Sequence, residues 1–254
     1  MNNKYFGNSL DLLKYDILTY LTQIESSELF YIPMLTEPEP KMLDPKYKLH
    51  EVGSQNKVLL ELMLKAHDSK NNLDMSYIRN YFNDIKLNYK IILNKQDNDK
   101  NTFTINNIQY FSNENRNEYF TKSIELYEQQ TQKTLLFIDP CVGIDLAVKR
   151  RVRSNKSLYL KVEELKTIIS KTKHCDTVCY FQHLGNPTYK LNDRIFDLKK
   201  EFGEHLLVVG YERILCSMVF LFKTETEYLD KKRKLELYIK KYDKIKNYNK
   251  IILQ

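Results

Sequence analysis

Asp139 stands at the end of the apolar run 134–138 and leads into Pro140, Cys141, Val142, Gly143, Ile144 and Asp145. A short apolar run that closes on an acid, a proline and a glycine has the pattern of a buried strand delivering a carboxylate to a sheet edge, which is where open α/β sheets bind ligands. Such a carboxylate accepts hydrogen bonds from an amine or hydroxyl acceptor, with Pro140 shaping the turn. It equally suits a structural cap, because Asp beside Pro also accepts backbone N–H bonds. Asp145 is either a second carboxylate near the site or the N-cap of the next segment. His183 closes the run 177–182 on the strand expected beside Asp139, where an imidazole acts as general base, binds substrate, or serves as a hydrogen-bonded structural group. Asp11 and Lys14 are three apart and share a helix face with Tyr15, so they can touch one ligand together or form an ordinary solvent-facing pair. Arg150, Arg151 and Arg153 fall in a basic run, 149–156, directly after the Asp139 segment. Their charge suits a phosphate backbone, with a solvated loop as the plain alternative.

The elements that must position these groups are set by periodicity. Residues 9–23 carry Leu10, Leu13, Ile17, Leu18 and Leu21 at helical spacing, with Ser9 or Asn8 as cap. Residues 29–35 predict a first strand bent at Pro33, followed by a proline-rich turn at 36–40. Helices are expected over 57–67 and 76–84, then strand, turn and strand across 90–94, 95–102 and 103–111, and a helix over 119–130 before the strand ending at Asp139. Beyond it we expect a helix over 159–171, a strand over 177–183 and a helix over 193–201. The runs 206–210 and 216–222 are placed as an antiparallel pair, and 227–249 as a Lys-rich helix whose apolar residues are Leu235, Tyr238 and Tyr242. This alternation predicts a Rossmann-like α/β domain over residues 1–226, a mostly parallel sheet with an antiparallel edge pair, plus a C-terminal helical segment over 227–254.

Composition bounds the function. The chain has 254 residues, 42% of them hydrophobic, enough for a real core. A formal charge of +7 and a pI near 8.9 favour a polyanionic partner such as nucleic acid or a nucleotide. No run approaches the roughly 20 apolar residues needed to cross a bilayer, and the first residues lack an apolar leader, so no membrane partner and a cytoplasmic location are expected. Cys141, Cys175, Cys179 and Cys216 form no C-x-x-C pair and are expected as reduced thiols. The six glycines make neither G-x-G-x-x-G nor a P-loop, which disfavours standard dinucleotide binding and Walker-type hydrolysis.

Gly7-Asn8-x-x-Asp11-x-x-Lys14, the strand ending in Asp139-Pro140 and the later strand pair resemble, in that order, bacterial S-adenosylmethionine-dependent adenine-N6 methyltransferases of large-subunit ribosomal RNA. Lys4-Tyr-Phe-Gly7, Asp139-Pro140 with Gly143 and Asp145, and Tyr180-Phe-Gln-His183 also resemble a group of uncharacterised bacterial proteins. The resemblance to the enzymes implies a methyltransferase-type fold and an S-adenosylmethionine pocket formed with Gly7, Asn8, Asp11 and Lys14. It further implies that Asp139 and Pro140 hold the acceptor's amino group; from their positions, His183 joins them at the catalytic edge and Arg150, Arg151 and Arg153 are assigned to nucleic acid. The enzymes' second proline and aromatic residue are replaced here by Cys141 and Val142, which removes the ring that would stack on a flipped base. A non-catalytic binding scaffold and a metal-dependent nuclease using Asp139, Asp145 and Glu164 are the readings from other classes.

Overall fold

Apolar runs too continuous to face water on either side form the middle of a sheet, as parallel strands covered on both faces require. The computed structural model describes residues 9–37, 52–68, 76–93, 100–105, 108, 110–146, 156–173, 176–183, 191–211, 216–242 and 251–254. In chain order the elements are α1 (Ser9–Glu25), β1 (Glu28–Pro33), α2 (Lys57–Asp68), α3 (Ser76–Asp84), β2 (Tyr89–Leu93), β3 (Thr102–Thr104), α4 (Arg116–Glu128), β4 (Thr134–Asp139) and β5 (Gly143–Asp145). There follow β6 (Tyr159–Lys161), α5 (Val162–Lys171), β7 (Thr177–His183), α6 (Leu191–Phe202), β8 (Leu206–Tyr211), β9 (Cys216–Leu221), α7 (Glu225–Lys240) and β10 (Ile251–Leu253).

The main sheet runs β10-β8-β9-β7-β4-β1-β2-β3, and β5 pairs separately with β6. β3, β2, β1, β4 and β7 are joined by parallel pairings, whereas β9 is antiparallel to both β7 and β8, and β10 is antiparallel to β8. The fold is thus Rossmann-like, with the expected antiparallel pair at the β8 end. Side-chain alternation divides the core in two. Leu29, Tyr31, Leu135, Phe137, Cys179 and Phe181 face α1, α2, α3 and α7. Phe30, Ile32, Leu136, Ile138, Val178 and Tyr180 face α4, α5 and α6.

Several boundaries differ from expectation for identifiable reasons. The helix expected from residue 159 starts at Val162, because 159–161 form β6 against β5, and Glu164 reaches back to accept the Lys161 backbone N–H at 2.8 Å. The strand expected over 103–111 stops at Thr104 and pairs in parallel with β2. Its later apolar residues Ile105, Ile108 and Phe111 are buried, and the Phe111 N–H donates to the Leu35 carbonyl at 2.7 Å, bracing the exit of β1. The last helix is observed over Glu225–Lys240, residues 243–249 of the expected helix lie outside the described residues, and the short strand β10, which periodicity does not reveal, adds to the edge.

α1 is fixed from behind. The buried Asp16 carboxylate accepts from Tyr238 at 2.8 Å, Tyr242 at 2.5 Å and Asn56 at 3.2 Å, tying α1 to α7 and to the turn before α2. Burial raises the Asp16 pKa above its ordinary value, although all three donors pull it down.

Candidate functional site

β1 is followed by β2 and β3 on one side, and the chain then returns to lay β4 on the other side of β1. The crevice beyond the carboxyl ends of β1 and β4 is therefore a topological switch point, where open α/β sheets bind ligands. Asp139 is the last residue of β4 and lies level with Pro33, the last of β1. The two ends are also joined by a Met34 N–H bond to the Asp139 carbonyl at 3.2 Å. Alternation along β4 turns residues 135, 137 and 139 to the α1 face, which brings the carboxylate under the first turns of that helix.

Lys14 of α1 donates to Asp139 Oδ2 at 2.8 Å and pairs with Asp11 Oδ1 at 2.7 Å. The i,i+3 spacing puts Asp11 and Lys14 on one helix face, but that face is buried, with side chains about as enclosed as the core, at 4% exposure each. Tyr31 from β1 donates to the same Asp139 oxygen at 2.6 Å, and the Tyr15 and Tyr31 hydroxyls lie 3.0 Å apart. The Lys14 ammonium also sits 4.8 Å from the Tyr15 ring centre and 5.3 Å from that of Phe181, a cation against two π faces.

The electrostatics come from two carboxylates sharing one ammonium out of water. Burial alone would lower the Lys14 pKa; the charges of Asp11 and Asp139 outweigh it and hold the group well above the ordinary lysine value, so it stays cationic. Burial, then the Asp139 charge, pushes the Tyr31 phenol well up, keeping it a hydrogen-bond donor. The cluster brings two carboxylates to one ammonium at the ligand-binding edge.

β7 lies beside β4 and ends at His183, whose N–H donates to the Val142 carbonyl at 2.7 Å. His183 is half-buried, its ring is 6.4 Å from that of Phe181, and burial lowers its pKa, favouring the neutral imidazole. The segment after Asp139 turns at Pro140 and Cys141 and enters β5 at Gly143. Gly143 has φ +124°, a conformation suited to glycine, and a Cβ there would lie 2.4 Å from the Gln182 amide.

Of the residues singled out in the sequence, Asp11, Lys14 and Asp139 converge, with Pro140 adjoining and His183 on the neighbouring strand end. Gly7, Asn8, Arg150, Arg151 and Arg153 lie outside the described residues. Asp145 is the last residue of β5, paired with Lys161 in the ladder, and the segment it would cap lies outside the described residues. Glu164 forms an ion pair with Arg116 at 2.5 Å and caps α5, and among the described residues no group of three or more His, Cys, Asp or Glu side chains is arranged to hold a metal ion. Glu164, the third carboxylate of the nuclease reading, is thus bound by Arg116. Sequence reasoning missed Tyr31, which looks like any core aromatic in an apolar strand. It placed Gln182 with His183 at an edge of the pocket, on the Tyr180-Phe-Gln-His183 pattern, but assigned it no contact with the turn after Asp139.

No protein-family model and no curated protein sequence matches the chain. In three dimensions it is similar to the crystal structure of protein LPL1258 from Legionella pneumophila str. Philadelphia 1, an uncharacterised bacterial protein carrying the family label DUF519. The TM-score is 0.50 at 13% identity, covering 98% of this chain and 96% of that one. The likeness is one of fold. No described helix is long and apolar enough to cross a membrane.

Proposed function

We propose that the chain binds S-adenosylmethionine and transfers its activated group to a nucleic acid or nucleotide. The observation that carries this reading is the buried Asp11–Lys14–Asp139 cluster at the switch point between β1 and β4. The mostly parallel Rossmann-like sheet, with the reversed β9 between β7 and β8, supports it. So does the formal charge of +7, which suits a polyanionic acceptor.

The cofactor's charge fits the cluster. S-adenosylmethionine, when bound, supplies a methyl group on a positively charged sulfur, and carboxylates at the edge of its pocket favour a cation. Asp11 and Lys14 would line its pocket. Asp139 would accept a hydrogen bond from the acceptor's N–H or O–H and stabilise the positive charge that grows on that atom, while Lys14 and Tyr31 hold the carboxylate still. A neutral His183 at the adjoining strand end is suited to receive the proton the acceptor loses.

One observation favours the scaffold reading instead. Asp139 is 1% exposed, and its Oδ2 already accepts from both Lys14 and Tyr31. Methyl-labelled S-adenosylmethionine and total bacterial RNA separate the two. Transfer of label by the wild type, lost in Asp139→Asn, supports the enzyme; absence of transfer together with absence of binding to S-adenosylmethionine or S-adenosylhomocysteine leaves the scaffold.

A further inference from the structure

The turn after Asp139 is held from the next strand. Gln182 of β7 uses both ends of its amide on that turn. Its Oε1 accepts the Ile144 N–H at 2.9 Å, and its Nε2 donates to the carbonyls of Val142 at 3.3 Å and His183 at 2.7 Å. Arg194 of α6, itself buried, donates to Gln182 Oε1 at 3.1 Å and to the Ile144 carbonyl at 2.7 Å, which fixes the amide's orientation. Gly143 leaves the space: a Cβ at that position would stand 2.4 Å from Gln182 Oε1 and Nε2. On its other side the turn is held by the Val142 N–H on the Leu158 carbonyl at 3.1 Å.

This amide is 2% exposed and lies on the α6 face of the sheet, opposite the face where Lys14 and Tyr31 meet Asp139. Its hydrogen-bond partners named above, Ile144, Val142, His183 and Arg194, are thus separate from the carboxylate cluster. What it sets is the path of the backbone leaving Asp139. A glutamine whose acceptor and donor are both consumed by one turn and one arginine is a costly group to bury for packing alone, since an apolar side chain would fill the same volume without needing partners.

We propose that Gln182 is a positioning residue for the acceptor edge: with Gly143 and Arg194 it locks the 140–144 turn so that Asp139 and the turn present one fixed surface to the acceptor. The proposal rests on the functional reading that Asp139 meets an acceptor. Cys141, partly exposed within the turn, reports on the lock independently of any catalysis.

The test compares the wild type with Gln182→Leu and Gln182→Glu by three readouts: iodoacetamide alkylation of Cys141 followed by peptide mass mapping, S-adenosylmethionine affinity by calorimetry, and label transfer to total RNA at saturating cofactor. In Gln182→Leu, Cys141 alkylation rises about tenfold, the factor equivalent to losing a buried hydrogen bond. Cofactor affinity stays within about twofold of wild type, while transfer falls about a hundredfold, the scale expected when an acceptor edge shifts by about 1 Å. Gln182→Glu keeps the acceptor for Ile144 and Arg194 but loses both donors, and gives intermediate values; it carries the comparison if the leucine variant does not fold. Unchanged Cys141 reactivity in a folded variant overturns the lock. Raised reactivity with undiminished transfer overturns the positioning role. A wild type that binds no S-adenosylmethionine defeats the functional reading alone, and the alkylation result still decides whether the lock exists.

Discussion

Lys14 and Lys231 are both buried ammonium groups paired with carboxylates, and they differ in what surrounds the pair. Lys14 has 4% of its side chain exposed and is shared by Asp11 and Asp139; Lys231 has 3% exposed and shares Glu25 with Lys133 and Lys234, at 3.2 Å and 3.4 Å from it. The first cluster gathers two carboxylates around one ammonium, and the second gathers three ammonium groups around the Glu25 carboxylate, with Asp230 also on Lys234. Asp139 is the last residue of β4 and Lys133 immediately precedes its first, so the two clusters mark opposite ends of one strand. Helix dipoles add to the contrast. Asp11 lies in the first turn of α1, where a carboxylate is favoured, whereas Glu25 ends the helix, where it is disfavoured and needs its lysines. The Glu25 cluster is explained by closing a helix end onto α7. The Asp139 cluster adds a second carboxylate, from β4 rather than from a helix, at the edge where this class of sheet binds ligands.

The largest test of this difference removes each lysine. Lys14→Met removes the ammonium shared by two buried carboxylates and is expected to cost about 3–5 kcal/mol in urea unfolding. Lys231→Met leaves Glu25 with two other lysines, so its cost should be about 1–3 kcal/mol. Equal losses would break the comparison.

Next in size is Tyr31→Phe. It removes a buried donor to a charged oxygen and should cost about 1.5–3 kcal/mol. A loss of under about 0.5 kcal/mol, the range of an ordinary surface change, would mean that Tyr31 does not hold Asp139.

The clusters also titrate with opposite signs on the alkaline side. The Lys14 pKa is raised, so its stabilisation is complete below the ordinary value of 10.5 and is lost only as pH rises beyond that through the folded-state value. Burial lowers the Lys231 pKa, with Lys133 and Lys234 adding to the shift and Glu25 opposing it. Its destabilising share is therefore present below the folded-state value and fades as pH rises toward 10.5. Melting temperature against pH should accordingly fall more steeply above the lysine range in wild type than in Lys14→Met. Parallel curves would count against a raised Lys14.

The smallest effect is acidic. Burial would raise the Glu25 pKa, but Lys231, Lys133 and Lys234 hold it below its ordinary 4.5. Its contribution is thus present above that value and lost as pH falls through the folded-state one, and Glu25→Gln should flatten the acid limb of the stability curve. An unchanged limb would show that the cluster is not coupled to folding.

The two clusters were not equally legible in the sequence. Asp139 announces itself because an acid closing an apolar run is a local pattern, and Asp11 with Lys14 because helical spacing is local too. Tyr31, Gln182 and Arg194 acquire their roles from strand neighbours and from α6, which only the sheet order brings together. Asp16 likewise meets Tyr238 and Tyr242 across most of the chain, and Glu25 meets Lys231 in the same way. The major strands and helices were readable from period and length, while β6 and β10, at three residues each, are too short to carry a period of their own.

Calorimetric titration of the wild-type chain with S-adenosylmethionine and S-adenosylhomocysteine tests the central claim most directly. The Asp11 and Asp139 carboxylates at the β1–β4 switch point predict saturable binding of both, with the sulfonium form the tighter because only it carries the positive sulfur. Binding of neither would contradict the account and leave the Asp11–Lys14–Asp139 cluster as a structural brace.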